Sequence, residues 1–397
     1  MINLHEPSII GNEWKYLKSC LDRGWVSSSG KYVNTFEKKI AKYTGAKYAI
    51  ACINGTSALQ ISLKIAGVKK GDEVIAPSLT FIAPINAINY NEAKPIFMDV
   101  DRYYTIDINK TVNFINQQTT IITKKNRNRK STITINKKTG RRIVALIVVH
   151  TFGNAVNLDK LVSLCRKKNI VLIEDAAESV GTFYKLGKFK KKHTGTIGKI
   201  GCLSFNGNKI ITTGGGGIIL TNDYKIAKKA EYLTTQAKDD SVYSVHNEVG
   251  YNFRLTNIQA ALGLAQLESL SNYVKKKKII HERYKKTINR IIGLQISDVP
   301  NFARCNYWLN ILEINKLLSK KKLLKIINHL RKNGIETKPM WYPNHLQKKY
   351  RNYQTYKLNK VNKISQQRLC LPSSSQLTKK QQNFICSKLK NIQFFKS

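Results

Sequence analysis

Short apolar runs alternate with amphipathic stretches through the first half of the chain. Tyr48-Ala49-Ile50-Ala51-Cys52-Ile53 is almost continuously apolar, as a strand buried on both faces must be. It runs into Asn54-Gly55-Thr56-Ser57, after which a helical run extends from Ala58 to Ala66. The alternation then repeats: strand Glu73–Pro77, helix Ile82–Tyr90, strand Pro95–Met98, strand Ile143–Val149, helix Leu158–Lys168 and strand Ile170–Ile173 ending in Glu174-Asp175. Two amphipathic helices come first, Asn12–Leu21 and Val33–Tyr43, the second closed by Gly45. This pattern predicts an α/β fold with a mainly parallel sheet covered on both faces, and function at the carboxyl ends of its strands.

Asp107–Arg142 interrupts the alternation as a polar, basic insertion, and its dense Lys124–Arg142 part reads as surface loop, as does Lys188–Lys192. Beyond Thr221 the pattern is mostly helical. It predicts helices over Thr256–Leu270, Val274–Ile292 and Lys321–Lys332, another after Leu377, and a strand over Tyr307–Ile314. A boundary near Ser271 divides the chain into a large domain, residues 1–270, and a smaller C-terminal domain, residues 271–397.

Composition narrows the class. With 397 residues and 42% hydrophobic content the chain can bury a substantial core. No apolar run approaches the ~20 residues that cross a bilayer, and Met1-Ile2-Asn3-Leu4-His5-Glu6 lacks a secretion signature. Seven cysteines stand singly, which suggests neither a disulfide framework nor a metal site and fits a reducing, cytoplasmic setting. Lys and Arg number 68 against 24 Asp and Glu, a formal net charge of +44. A nucleic-acid binder concentrates such charge in a stripe; here it is spread along the chain. It reads as general replacement of surface acids, with no specific nucleic acid implied, although the field would attract anionic substrates.

Three features carry candidate chemistry. Lys209 lies in Ser204-Phe205-Asn206-Gly207-Asn208-Lys209, ahead of Gly214-Gly215-Gly216-Gly217, where a flexible lysine can form an imine with a carbonyl compound. Asn54-Gly55-Thr56-Ser57 joins a buried strand to a helix start, whose free N–H groups suit a phosphate, although Ser and Thr there often do no more than cap. Asp175 ends a strand, where it either caps the next segment or meets a buried cation such as a protonated ring nitrogen. Together these are the handles that pyridoxal 5′-phosphate (PLP) requires, with Phe81 as a candidate ring-stacking residue.

The segments Asn54 to Ala58, Ser78 to Phe81, Glu174 to Ser179, Ser204 to Lys209 and Gly250 to Ala261 resemble the DegT-type nucleotide-sugar aminotransferases. The resemblance runs from about Leu4 to Leu389. It implies PLP fold type I, the aspartate-aminotransferase fold, with a seven-stranded sheet in the large domain and a smaller α/β domain. Gly24 to Ser28, Ser204 to Gly217, Thr234 to Asp240 and Trp341 to Gln347 are most similar to enzymes that aminate UDP-2-acetamido-2,6-dideoxy-4-keto-hexose, on the routes to bacillosamine or legionaminic acid. By this resemblance Lys209 holds the cofactor and shuttles protons, Asp175 pairs with the pyridine nitrogen, and Glu178 lies near the phenolic oxygen, where many relatives have glutamine. Gly55, Thr56, Ser57 and Ser204 hold the phosphate. Asn252 reaches the other protomer's phosphate in a homodimer, with Arg254 close by, and Trp25, Ser27, Tyr342 and His345 contact the sugar nucleotide. Glutamate is the implied donor. Two departures stand out, Lys338 where arginine is expected and Lys199 where an acid is common. Other keto-sugar aminotransferases, sugar dehydratases (which carry histidine in place of the lysine) and a basic regulatory protein on the same scaffold are the rival readings.

Overall fold

The computed structural model describes residues 1–126, 129–240, 242–364 and 367–392. Seven strands form the middle of a ten-stranded sheet: β1 Tyr48–Cys52, β2 Glu73–Pro77, β3 Lys94–Met98, β4 Arg142–Val149, β5 Val171–Asp175, β6 Ile200–Ser204 and β7 Gly217–Thr221, with the short strand Thr355–Tyr356 parallel to β3 at the edge and a hairpin beside β4 making up the ten. Their spatial order is β1-β7-β6-β5-β4-β2-β3. The pairs β2/β3, β2/β4, β4/β5 and β5/β6 are parallel, and β7 runs antiparallel to both β1 and β6. This is the mostly parallel sheet of fold type I. Apart from the termini of β1, β4, β5 and β3, these strands are fully buried, which explains their near-continuous apolar sequence.

Register sets the site. Val149 and Asp175 are partners, as are Asp175 and Cys202, so the carboxyl ends of β4, β5 and β6 lie side by side. Because β7 is antiparallel, its first residue, Gly217, pairs with the last residues of β1 and β6, Cys52 and Ser204. The glycine run, Asn54 and Ser204 therefore meet at one end of the sheet.

The basic insertion is not a loop. It contains a helix, Ile108–Gln117, capped by the Asp107 side chain, and two strands, Thr119–Asn126 and Arg129–Asn136. These pair as an antiparallel hairpin whose second strand joins β4 through Thr134–Ile143 and Ile135–Arg142. Arg127 and Asn128 lie outside the described residues. The two helices expected around Ser271 are one helix, Asn257–Ile288, opened by a Thr256/Gln259 capping box. Its first half packs Leu264, Leu270 and Tyr273 against the large core, and its second half packs Ile280, Tyr284 and Ile288 into another. That second core covers a four-stranded antiparallel sheet of Leu294–Ile296, Asn310–Ile314, Arg368–Leu371 and Lys338–Pro339. All seven cysteines are buried and unpaired. Among the described residues no helix is long and apolar enough to cross a membrane.

Candidate active site

A cavity of about 290 Å³ opens at the carboxyl end of the sheet, lined among others by Gly55, Thr56, Phe81, Asp175, Glu178, Ser204, Lys209, Trp308 and Trp341. One wall is the start of the helix Gly55–Ile65. Asn54 caps it by accepting the Ser57 backbone N–H at 2.7 Å, and Gly55 and Thr56 line the cavity. A Cβ on Gly55 would stand 2.9 Å from Ser204 Cβ, so only glycine lets this turn close against β6. Helix start, hydroxyls and close backbone approach suit a phosphate dianion.

Asp175 is buried at the end of β5, and its Oδ1 accepts the Ala177 N–H at 3.0 Å. Burial raises its carboxyl above the usual range, against the pull of that N–H and of the Lys209 charge. A bound cation would relieve this cost. The preceding residue, Glu174, points to the other side of the strand and is satisfied there. It meets His150 Nε2 at 2.9 Å and accepts the N–H groups of Gly195, Ile197 and Gly198 at 2.8, 2.6 and 2.5 Å. Burial works against its charge, yet His150 and these donors hold it below the ordinary carboxylate range.

Lys209 reaches in from the segment after β6. Its Nζ lies 3.7 Å from Glu178 Oε1 and 4.2 Å from the Trp308 ring centroid. Glu178 Oε2 accepts the Phe152 N–H at 2.7 Å. Burial pushes the Glu178 carboxyl up to about 7, with Asp175 adding to the rise and Lys209 and the Phe152 N–H opposing it. Trp308 and the Phe152 N–H are absent from the sequence reading, which holds Trp341 only as the first residue of a motif. Trp308 enters through a turn in which Tyr307 has φ 54°, a conformation that no hydrophobic period reports.

Other expected contacts lie elsewhere within one chain. The Arg254 guanidinium forks onto Glu37, at 2.7 and 3.3 Å, away from the cavity. Asn252 is exposed beside Thr235. The carbonyls of Trp25 and Ser27 accept from the side chain and backbone of Asn257, at 2.7 and 2.6 Å. His345 Nδ1 meets Ser78 Oγ at 2.6 Å, while the Tyr342 ring is half exposed under the Lys320 ammonium. Both departures face outward: Lys338 pairs with Glu336 at 3.3 Å and Lys199 with Asp223 at 2.6 Å.

A model of the DegT/DnrJ/EryC1/StrS aminotransferase family matches residues 7–390. The chain belongs to this family. The putative pyridoxal phosphate-dependent aminotransferase EpsN of Bacillus subtilis is 34% identical, over 98% of this chain and 95% of its own. GDP-perosamine synthase of Escherichia coli O157:H7 is also 34% identical, over 98% and 97%. Among solved structures, a DegT DnrJ EryC1 StrS aminotransferase from Brucella abortus superposes with a TM-score of 0.84 at 25% identity, covering 97% of this chain and 96% of that one. Helicobacter pylori PseC gives 0.85 at 22%, covering 100% and 99%.

As a member of the DegT family the chain is a PLP-dependent aminotransferase of fold type I. The cavity fits the cofactor on its own chemistry. A glycine turn closed against Ser204 offers the phosphate site, and a buried carboxylate lacks a full counter-charge where a protonated ring nitrogen would supply one.

Proposed function

We propose that this aminotransferase moves the amino group of glutamate to the keto carbon of a nucleotide-linked sugar, with carbon 4 of a UDP-2-acetamido-2,6-dideoxy-4-keto-hexose as the acceptor. One observation carries the site: Lys209, Asp175 and Glu178 converge on one cavity with the Gly55-Thr56 turn. Sugar as the substrate class is supported by relatives named GDP-perosamine synthase. The UDP-linked acetamido sugar rests on the motifs Gly24 to Ser28, Thr234 to Asp240 and Trp341 to Gln347. The alternative acceptor is another keto sugar, a GDP-linked one being favoured by those same relatives.

When bound, PLP supplies an aldehyde that takes the amino group and a ring that accepts electrons from the α-carbon. The Gly55-Thr56 turn and Ser204 would anchor its phosphate, and Asp175 would keep its ring nitrogen protonated. Phe81, which lines the cavity and meets Trp341 edge-on with centroids 6.1 Å apart, would stack on the ring. Lys209, once neutral, carries a proton from the donor's α-carbon and later returns one to the sugar carbon. A side chain on a flexible stem suits both transfers.

A second copy of the chain completes this reading. Trp14, Trp25, Val242, Tyr243 and Val249 are all exposed. In the proposed dimer they are covered, and Asn252 and Arg254 lie near the partner's phosphate site. The testing experiment incubates the purified protein with PLP, glutamate and the UDP-linked 4-keto sugar. Expected products are 2-oxoglutarate and a 4-amino sugar, absent with Lys209→Ala. Release of 2-oxoglutarate by Lys209→Ala at the wild-type rate would overturn the assignment.

A further inference from the structure

The Lys209 amine lies against two groups that attract a cation, the Glu178 carboxylate at 3.7 Å and the electron-rich face of Trp308 at 4.2 Å. An amine must nevertheless be neutral to attack a carbonyl carbon. Its proton needs an acceptor, and the cavity wall offers few. Asn54, Asn206 and Asn208 are amides that take no proton near neutrality, and among the described residues the carboxylates lining it are Asp175 and Glu178. Asp175 accepts from Ala177, and the Lys209 amine makes its ion pair with Glu178. Glu178 is also the better placed in detail. Phe152 N–H fixes Oε2 at 2.7 Å, which leaves Oε1 turned to the amine.

We propose that Glu178 is the proton acceptor of Lys209: its carboxylate takes the ammonium proton as the amine becomes a nucleophile and returns it when the amine is released. One N–H bond breaks and one O–H bond forms, a charged pair becomes a neutral pair, and nothing is oxidised or reduced. Burial of Glu178, which brings its carboxyl to about 7, poises it for exchange at neutral pH. The inference rests on Lys209 being the cofactor lysine and adds the identity of its base.

The test mixes cofactor-free protein with PLP and follows capture by absorbance from pH 5.5 to 9, with borohydride trapping and peptide mass analysis of the bound position. Wild type is expected to capture faster as pH rises through about 7. Glu178→Gln should lose that rise and capture at least tenfold more slowly at pH 7, with Lys209 still the labelled residue. Glu178→Asp, which keeps a carboxyl but withdraws it, should fall between them. It carries the test alone if the glutamine variant does not fold: slower capture supports the proposal and an unchanged rate overturns it. Variants that match wild type in rate and pH profile overturn the proposal while leaving the aminotransferase reading intact. A wild type that captures no PLP at Lys209 overturns that reading itself.

Discussion

Trp308 Nε1 donates to the backbone carbonyl of Asn208, the residue before Lys209, at 2.7 Å. One side chain thus both cushions the Lys209 ammonium and ties down the segment that carries it. The Trp308 carbonyl is itself held by the buried Lys277 Nζ at 3.0 Å. Trp308→Phe keeps a ring but removes the donor, and a lost hydrogen bond of about 1 kcal/mol predicts a fall of roughly fivefold in kcat/KM. Trp308→Leu loses the ring as well and should fall by about a hundredfold. Steady-state kinetics on the two variants separate these contributions.

Asp175→Asn separates chemistry from folding. The amide oxygen can still accept the Ala177 N–H, while the costly buried charge is gone. The cofactor-free variant should melt at or above the wild-type temperature. Its turnover should drop by at least about a hundredfold, because nothing then holds the ring nitrogen protonated. Thermal melts and turnover on one preparation check both halves.

Glu178 makes stability depend on pH in a defined direction. Its folded-state carboxyl titrates near 7, above the ordinary 4.5, so the folded chain binds more protons in between. Stability therefore falls as pH rises from about 4.5 to about 7, by about 3 kcal/mol for this group. Glu178→Gln abolishes this dependence. The stability of the cofactor-free variant relative to wild type should be greater at pH 8 than at pH 4.5, measured by urea unfolding. An unchanged difference would contradict the buried, proton-sharing environment.

The Glu174 pair behaves oppositely. Its carboxyl is held low by His150 and three backbone N–H groups, so its contribution is present above about pH 4.5 and is lost as pH falls below it. Glu174→Ala strands His150 and those donors in a buried site, and should cost about 3–5 kcal/mol. Urea unfolding at pH 7 reads the loss.

Much of this site is legible in the residues alone, because short fully buried strands leave unbroken apolar runs and their last residues mark the sheet's active end. Asp175 and Asn54 are found that way. The hairpin is not, although Thr132-Ile133-Thr134-Ile135 alternates as a strand does, because the surrounding lysines and arginines mask it. The long helix is divided at Ser271-Asn272, yet Leu270 and Tyr273 are three apart, both buried, and continue one face. The Phe152 N–H is a backbone group, so no side-chain pattern announces it.

The dimer reading predicts complementation. A Lys209→Ala protomer keeps Asn252, and an Asn252→Ala protomer keeps Lys209. If Asn252 serves the partner's phosphate, mixed dimers regain one intact site. Co-refolded mixtures should turn over faster than either variant alone.

Borohydride reduction of the PLP-loaded protein, followed by peptide mass analysis, reaches the central claim most directly. A pyridoxyl mass on the peptide containing Lys209, and its loss when glutamate is added before reduction, is the predicted result. Label on other lysines, or none, would contradict the account.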